Sequence, residues 1–416
     1  MDRQACRPLS HICQSQEGKS FVIQDREDSF APEAHNLSEL SSPLRPRDMP
    51  ATEMPNTLGG LPVLELSGTP EQMGTIHGRR FSSEISLCAD IYNRVWSTLS
   101  FAQVSEFVSA QRNLIEKYFP HYAEEICALA AAADINETTA FAMNGRTEIT
   151  LHQHTLELLR GCRSEPAAEC TLLGSPLTKV MGENWDWASC IEKITILNHI
   201  TRPDGHRILT MTEPGIIGKV GMNSAGIGVG LNFIPGTERN SGIPVHIILR
   251  ACLEASSFEQ ISDMLDEFAR KDLLGTMSAI SIMDKRGNAE MFEILGSQLI
   301  RTRRIQDHVF AHTNHPLLNP SGHGTTDLEN TLCRLHVAKA LAAKGPLTVD
   351  ALATILADRS DQVHSINMQP KAWGAIGSVG TIRSLIFDLE NGTFYISKGT
   401  PAELPGPVDY DRVKLY

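Results

Sequence analysis

A cysteine at position 170 begins a short apolar run and is the residue around which the sequence suggests chemistry. The run is followed by Gly174-Ser175-Pro176 and by a second apolar run that ends in Asn184-Trp185-Asp186. Two apolar runs around turn residues predict a β-hairpin. Because a cysteine thiolate is a strong nucleophile, we interpret Cys170 as a candidate catalytic nucleophile. Spacing alone leaves open that Cys170 is an inert buried thiol.

Two further polar groups can do chemistry. Arg146 follows Gly145 in an otherwise apolar helical region. Two interpretations of Arg146 stay open. We expect it either to form a salt bridge to Glu148 or another carboxylate, or to contact the surroundings of the nucleophile. The second group is His312-Thr313-Asn314-His315, which can also be an ordinary polar loop.

The histidines do not predict a metal site. His152-Gln153-His154 lacks the i, i+4 spacing of a helical metal site, and no acidic or thiol partner accompanies His312 and His315 at ligand spacing. A run containing Gly226, Gly228 and Gly230 resembles a phosphate-binding loop, but it continues into β-branched residues instead of a helix. We therefore expect neither a metal nor a nucleotide phosphate at these positions.

The order of elements that must position these residues predicts the fold class. Residues 1–59 are rich in Ser and Pro and are expected to be a disordered extension. Residues 60–169 are mainly helical after a first strand, and residues 170–416 contain most of the strands, with further helices between them. This order predicts an α+β protein with two antiparallel sheets packed face to face between helical layers.

Composition excludes several classes of function. The chain has 416 residues, 41% of them hydrophobic, and a net charge of -12 without a basic block, so nucleic acid and anionic membranes are not expected as partners. Nine scattered cysteines without a C-x-x-C pair indicate reduced thiols. No secretory signal or membrane span is evident, which predicts a cytoplasmic protein. The ending Lys414-Leu415-Tyr416 is not a peroxisomal Ser-Lys-Leu signal, so that organelle stays a weaker alternative.

From about Leu61 to Pro401, the chain resembles the isopenicillin-N acyltransferase family of self-processing cysteine N-terminal nucleophile (Ntn) hydrolases. The order and spacing of several short motifs carry the resemblance. They are Gly68-Thr69-Pro70 with Gly74 and His77-Gly78, Asn144-Gly145-Arg146-Thr147-Glu148, Cys170-Thr171, Asn184-Trp185-Asp186, the segment 213–226, Ser278, and His312-Thr313-Asn314-His315.

The resemblance implies a four-layer αββα sandwich and a precursor, or zymogen, that cuts its own chain between Glu169 and Cys170. The smaller α chain and the larger β chain then stay associated. The freed α-amine of Cys170 would accept the proton of its own thiol, so that nucleophile and base belong to one residue. Glu169 is expected to raise the thiol pKa and so to slow self-cleavage.

The resemblance also implies roles for other residues. Asn314 supplies a donor to the oxyanion, and Asp186 holds the Cys170 ammonium or orients the incoming amine. Arg146 and Ser278 correspond to positions near the site, where they bind or support the substrate.

The implied reaction is acyl transfer in secondary metabolism. Acyl-coenzyme A is the expected co-substrate, a small amine or peptide-like molecule is the expected acceptor, a thioester on Cys170 is the intermediate, and no cofactor is expected. Two alternatives stay open, which are an amide hydrolase with water as the acceptor and an unprocessed binding protein without catalysis.

Overall fold

The computed structural model of the chain describes residues 54–160, 170–236, 241–319, 328–361, 363–373, 377–403 and 408–416. The predicted extension therefore lies almost entirely outside the described residues, as does Glu169. Within the described part, Thr57–Leu58 form a strand, so the expectation of disorder is wrong for these last residues of the predicted extension. Gly59 is also fixed, since its backbone N–H donates to Asp411 Oδ2 at 3.0 Å.

Six helices follow the first strands, as the periodicity predicts. They are α1 (Pro70–Arg80), α2 (Ser82–Val95), α3 (Phe101–Tyr118), α4 (Pro120–Ala133), α5 (Glu137–Asn144) and α6 (Arg146–Leu159). Thr69 caps α1: its hydroxyl accepts the Gln72 N–H at 3.2 Å, and Gln72 Oε1 accepts the Thr69 N–H at 2.9 Å. Gly74 lets α1 approach α4 closely, because a Cβ there would lie 2.1 Å from the Glu125 carbonyl oxygen.

Nine strands form the first sheet. They are β1 (Thr57–Leu58), β2 (Leu61–Ser67), β5 (Ile196–Thr201), β6 (Arg207–Thr212), β7 (Val220–Asn223), β8 (Ile227–Phe233), β9 (Thr276–Asp284), β10 (Ala289–Gly296) and β11 (Gln298–Arg301), in that spatial order. Neighbouring strands are antiparallel except β2 and β5, which are parallel. The prediction of two antiparallel sheets is therefore confirmed with the exception of this one pair. A parallel pair needs a long crossover, which here contains α1 to α6 and a hairpin of the second sheet.

Seven strands form the second sheet. They are β3 (Thr171–Ser175), β4 (Val180–Ala188), β12 (Phe310–His312), β13 (Lys371–Ala372), β14 (Ser378–Asp388), β15 (Thr393–Ser397) and β16 (Tyr410–Lys414). Strands β3 and β4 are the predicted hairpin, although β3 extends to Ser175 and the turn lies beyond it, with Lys179 at φ 55°. Strand β3 lies between β4 and β12, so the segment after Cys170 is hydrogen-bonded on both sides.

The two sheets pack face to face between helices. Glu183 on β4 accepts the backbone N–H of Leu231 on β8 at 2.9 Å, which joins the second sheet to the first. Helices α8 (Val245–Glu254) and α9 (Phe258–Arg270) cover the nine-stranded sheet, and α10 (Leu328–Ala342) and α11 (Val349–Leu356) cover the other. A short helix α7 (Ser189–Glu192) follows β4. The α+β sandwich of four layers is therefore confirmed, and α11 is an element that the sequence analysis did not predict.

Candidate active site

Cys170 directly precedes β3 and is buried, with 7% of its surface exposed. Its backbone N–H donates to Asn314 Oδ1 at 2.8 Å. Its carbonyl oxygen accepts hydrogen bonds from Asn232 Nδ2 at 3.1 Å and from Arg334 Nη1 at 2.9 Å. Three side chains from β8, the loop after β12 and α10 therefore fix the backbone of this residue on both sides.

Asn314 reaches Cys170 because β12 pairs with β3, with His312 opposite Leu172. Asn314 Oδ1 also accepts Arg334 Nη2 at 2.9 Å, and Asn314 Nδ2 donates to the Phe233 carbonyl at 2.8 Å. These partners define the orientation of the amide, with its oxygen toward the nitrogen of Cys170. One hydrogen of Nδ2 is used by Phe233, and the amide has a second hydrogen that can donate to a substrate oxygen.

Asp186 lies on β4 beside the thiol. Its backbone N–H is hydrogen-bonded to the Cys170 thiol. Its Oδ1 accepts the hydroxyl of Thr381 at 2.5 Å, from the facing position on β14. Burial raises the pKa of the Cys170 thiol to about 12, and the carboxylates of Asp186 and Glu183 act in the same direction. While residue 170 has an amide nitrogen, its thiol therefore stays protonated and needs a proton acceptor.

Arg146, the first residue of α6, lines the same pocket as Cys170, and of the open alternatives for its ion-pair partner the structure shows Glu213. Its Nε lies 3.0 Å from Glu213 Oε1, and the other oxygen of Glu213 lies 3.2 Å from Lys219 Nζ. The hydroxyl of Tyr92 donates to Glu213 Oε1 at 2.8 Å. Burial alone would raise the pKa of Glu213, but Arg146 and Lys219 lower it to about 2. Burial lowers the pKa of Lys219 to about 7, against the opposing effect of Glu213.

Ser278 is not among the residues that line the pocket. It lies on β9 opposite Phe233, and its hydroxyl is 3.2 Å from Thr276 Oγ1. The structure thus brings Asp186, Asn314 and Arg146 to Cys170 or its pocket, and Ser278 lies on β9 without lining that pocket. The pocket is lined by Arg146, Thr147, Thr150, Cys170, Glu183, Trp185, Asp186, Trp187, Lys219, Val220, Leu231 and Phe233.

Several site residues were missed in the sequence analysis. Glu183 is a carboxyl group inside an otherwise apolar strand, and burial raises its pKa to about 8. Arg334 is a polar residue on the buried face of α10, where Asn330, Thr331 and Leu335 are also buried. A charged residue at a core position was the available signal in both cases. Within the described ranges, no group of three or more His, Cys, Asp or Glu side chains could hold a metal ion, and His312 instead pairs with Glu293 at 3.0 Å.

Inside the αββα sandwich, a buried cysteine thus lies beside an amide and a carboxylate, an arrangement that suits nucleophilic catalysis by a thiol. The sequence model of the acyl-coenzyme A:6-aminopenicillanic acid acyl-transferase family matches residues 175–403, more than half of the chain. The chain belongs to this family and is therefore an enzyme of the acyltransferase and amidohydrolase type, as the resemblance implies. No helix in the described ranges is long and apolar enough to span a bilayer.

Individual proteins with a similar sequence or structure are the following. The chain is 28% identical over 332 residues to the 40 kDa form of acyl-coenzyme A:6-aminopenicillanic-acid-acyltransferase of Emericella nidulans. The aligned region covers 77% of this chain and 88% of the relative. Among solved structures, it is similar to a variant of conjugated bile acid hydrolase from Clostridium perfringens (TM-score 0.41, 15% identity, 59% of this chain and 92% of that chain). It is also similar to penicillin V acylase from Agrobacterium tumefaciens (TM-score 0.38, 13% identity, 55% and 82%).

Proposed function

We propose that the chain cleaves itself between Glu169 and Cys170 and that the new N-terminal Cys170 transfers an acyl group to an amine. The placement of Cys170 carries this proposal. Its backbone nitrogen, which would become the free amine, is hydrogen-bonded to Asn314 at 2.8 Å, and its thiol lies beside Asp186 in a pocket. The family assignment supports acyl chemistry at this pocket.

In the self-cleavage step, Sγ of Cys170 loses its proton and attacks the carbonyl carbon of Glu169. The bond from that carbon to the Cys170 nitrogen breaks, and the nitrogen takes up a proton. Water then hydrolyses the thioester, which releases the Glu169 carboxylate, the free thiol and the free α-amine.

Cleavage changes the proton balance at the thiol. The new α-amine, with an ordinary pKa of about 8, can accept the thiol proton, and the resulting ammonium lowers the thiol pKa. The Asp186 carboxylate, beside the same atoms, favours the ammonium. The pair of charges on Cys170 therefore replaces the protonated thiol of the uncleaved chain.

In turnover, the thiolate attacks the carbonyl carbon of an acyl donor, and the donor's leaving group takes up a proton. By likeness to the Emericella nidulans enzyme, we propose acyl-coenzyme A as the donor, so that coenzyme A leaves as a thiol and no cofactor is needed. A small amine then attacks the thioester on Cys170, an amide bond forms, and the thiol is regenerated. The second hydrogen of Asn314 Nδ2 stabilises the oxyanion in both tetrahedral intermediates.

Intact-mass spectrometry of the purified protein tests both the self-cleavage and the acyl transfer. For the wild type we expect two polypeptides, with the chain cut between residues 169 and 170. For Cys170→Ala we expect a single uncleaved chain. After brief exposure to acyl thioesters, an acyl adduct should appear on the larger fragment, and an added amine should release it as an amide. Release only as the free acid would identify a hydrolase. A wild-type chain that stays intact and takes up no acyl group would refute the proposal.

A further inference from the structure

The loop that carries Asn314 receives little support from the strand that it follows. Strand β12 has three residues, Phe310–His312, and it lies at the edge of the seven-stranded sheet, where β3 is its one partner among the described strands. Residues 313–318 then leave the sheet. Because one short strand pair fixes a backbone only weakly, other contacts must hold Asn314 in place.

A carboxylate of the opposite sheet holds both ends of this loop. Glu293 lies on β10 of the nine-stranded sheet, and its Oε1 lies 3.0 Å from Nε2 of His312, the last residue of β12. The same oxygen accepts the Leu317 N–H, and Oε2 accepts the Leu318 N–H at 3.0 Å. The side chains of Glu293 and His312 are fully buried. One carboxylate thus joins the start of the loop to its end and to the other sheet.

The hydrogen-bond partners of His312 define its charge. Its Nδ1 faces the carbonyl oxygen of Thr313, which can only accept, and its Nε2 faces Glu293. Each oxygen of Glu293 also accepts a backbone N–H. Burial would raise the pKa of Glu293, but the hydrogen bonds from His312, Leu317 and Leu318 lower it. The arrangement is therefore an imidazolium that donates from both ring nitrogens, to a carbonyl and to a carboxylate.

Further contacts connect this ion pair to the nucleophile. Asn232 Nδ2 donates to the carbonyl oxygen of His312 at 3.4 Å and to that of Cys170 at 3.1 Å. On α10, the hydroxyl of Thr331 accepts the Asn314 N–H at 2.7 Å. The position of His312 is thus coupled to the position of Cys170, and Asn314 lies two residues further along the chain. A displacement of His312 would move the Asn314 amide relative to the reacting carbonyl.

We propose that Glu293 and His312 are positioning residues, and that their ion pair holds the Asn314 amide where the oxyanion forms. Neither residue is among the described residues that line the pocket, so both act through Asn314. The inference rests on the proposed function only in that Asn314 is the oxyanion donor. Because the oxyanion develops on the way to the tetrahedral intermediates, loss of the ion pair should lower rates and leave substrate binding unchanged.

A double-mutant cycle tests this role. We would measure acylation of Cys170 by a thioester, with rapid quench and mass spectrometry, in Glu293→Gln, in Asn314→Ala and in the double variant. In Glu293→Gln the maximal rate should fall by about 10- to 100-fold. The thioester concentration that gives half of this rate should stay within about twofold of the wild-type value. In the Asn314→Ala background, Glu293→Gln should change the rate by less than about threefold.

Two further variants complete the kinetic experiment. Glu290→Gln is the matched control, because Glu290 is also buried on β10 but on its opposite face, and it should keep the wild-type rate. His312→Gln serves if Glu293→Gln does not fold, which circular dichroism would show. It keeps an N–H donor toward Glu293 and removes the charge and the donor to Thr313. It should lower the maximal rate by about tenfold, and only while Asn314 is present.

A measurement without chemistry separates this inference from the proposed function. In uncleaved Cys170→Ala protein with isotope-labelled asparagine, the NMR signal of the Asn314 side-chain amide is identified by its loss in Asn314→Ala. Adding Glu293→Gln should shift or broaden this signal, and adding Glu290→Gln should not.

An unchanged Asn314 signal overturns the inference. An equal loss of rate from Glu293→Gln with and without Asn314 would mark a merely structural ion pair and also overturns it. If the signal shifts but the wild type takes up no acyl group, the hold on Asn314 is supported and acyl transfer alone is refuted.

Discussion

The backbone nitrogen of Cys170 lies 2.8 Å from Asn314 Oδ1, although the two residues are 144 positions apart in the chain. The contact exists because β12 pairs with β3, which brings the loop after β12 to the start of β3. The same amide oxygen accepts Arg334 Nη2, so its position does not depend on Cys170 alone. An atom that would become a catalytic amine is thus already oriented before any bond is cut.

Asn314→Ala should slow acylation of Cys170. The substitution removes the acceptor for the Cys170 nitrogen and the donor to the oxyanion, and loss of one oxyanion donor typically reduces rates by about 100- to 1,000-fold. The measurement is the rate of adduct formation on the larger fragment by rapid quench and mass spectrometry. Asn391→Ala, in a surface turn, is the control. An acylation rate within about threefold of the wild type would contradict the assigned role.

Arg334→Ala should weaken both the fold and the site. Arg334 is fully buried, and it donates to the Cys170 carbonyl, to Thr171 Oγ1 and to Asn314 Oδ1, each at 2.9 Å. Its removal leaves buried acceptors unsatisfied, which should lower the free energy of unfolding by about 3 kcal/mol. Chemical denaturation measures this loss. Arg79→Ala, on the exposed face of α1, should change it by less than about 0.5 kcal/mol.

Glu169→Gln should accelerate self-cleavage. A carboxylate next to Cys170 opposes formation of the thiolate, and a neutral amide of the same shape does not. We expect a gain of up to about tenfold near pH 7, corresponding to about one pKa unit of the thiol. The time course of cleavage in freshly synthesised protein gives the rate. A slower rate in this variant would mean that the Glu169 carboxylate assists the reaction.

Acid should destabilise the fold partly through Glu213. Its pKa is lowered to about 2, below the ordinary value near 4.5, so its contribution to stability is present above about pH 4.5 and is lost as pH falls toward 2. This lowering of the Glu213 pKa corresponds to a contribution of about 3 kcal/mol to the free energy of unfolding. The Glu213→Gln variant should therefore show a smaller decrease in unfolding free energy between pH 5 and pH 2 than the wild type. Glu106→Gln, at an exposed helix position, should show the wild-type slope.

Local sequence patterns were enough for much of the fold. The helices from residue 70 to 159 and the β3–β4 hairpin follow from periodicity and turn residues, and the motif order identified the family. The parallel pairing of β2 with β5 was missed because a strand's pattern of apolar residues does not identify a partner more than 100 residues away.

The candidate site was predicted only where residues belong to short motifs. Cys170 directly precedes β3 and Asp186 lies on β4, which pairs with β3, so the hairpin brings them close together. Lys219 and Arg334 reach the pocket from distant elements, and their role depends on burial and partners that a linear pattern does not show. Arg146 was expected to pair with Glu148 or another carboxylate, and the partner found is Glu213 on a separate loop.

The parallel pair of β2 and β5 has a consequence for a chain cut after residue 169. Strand β2 would belong to the N-terminal piece, yet its five register partners on β5 belong to the C-terminal piece. Dissociation of the two pieces would remove β2 from the sheet and expose apolar surface on α1 and its neighbours. Size-exclusion chromatography should therefore show both pieces in a single peak under native conditions, and denaturant should be required to resolve them.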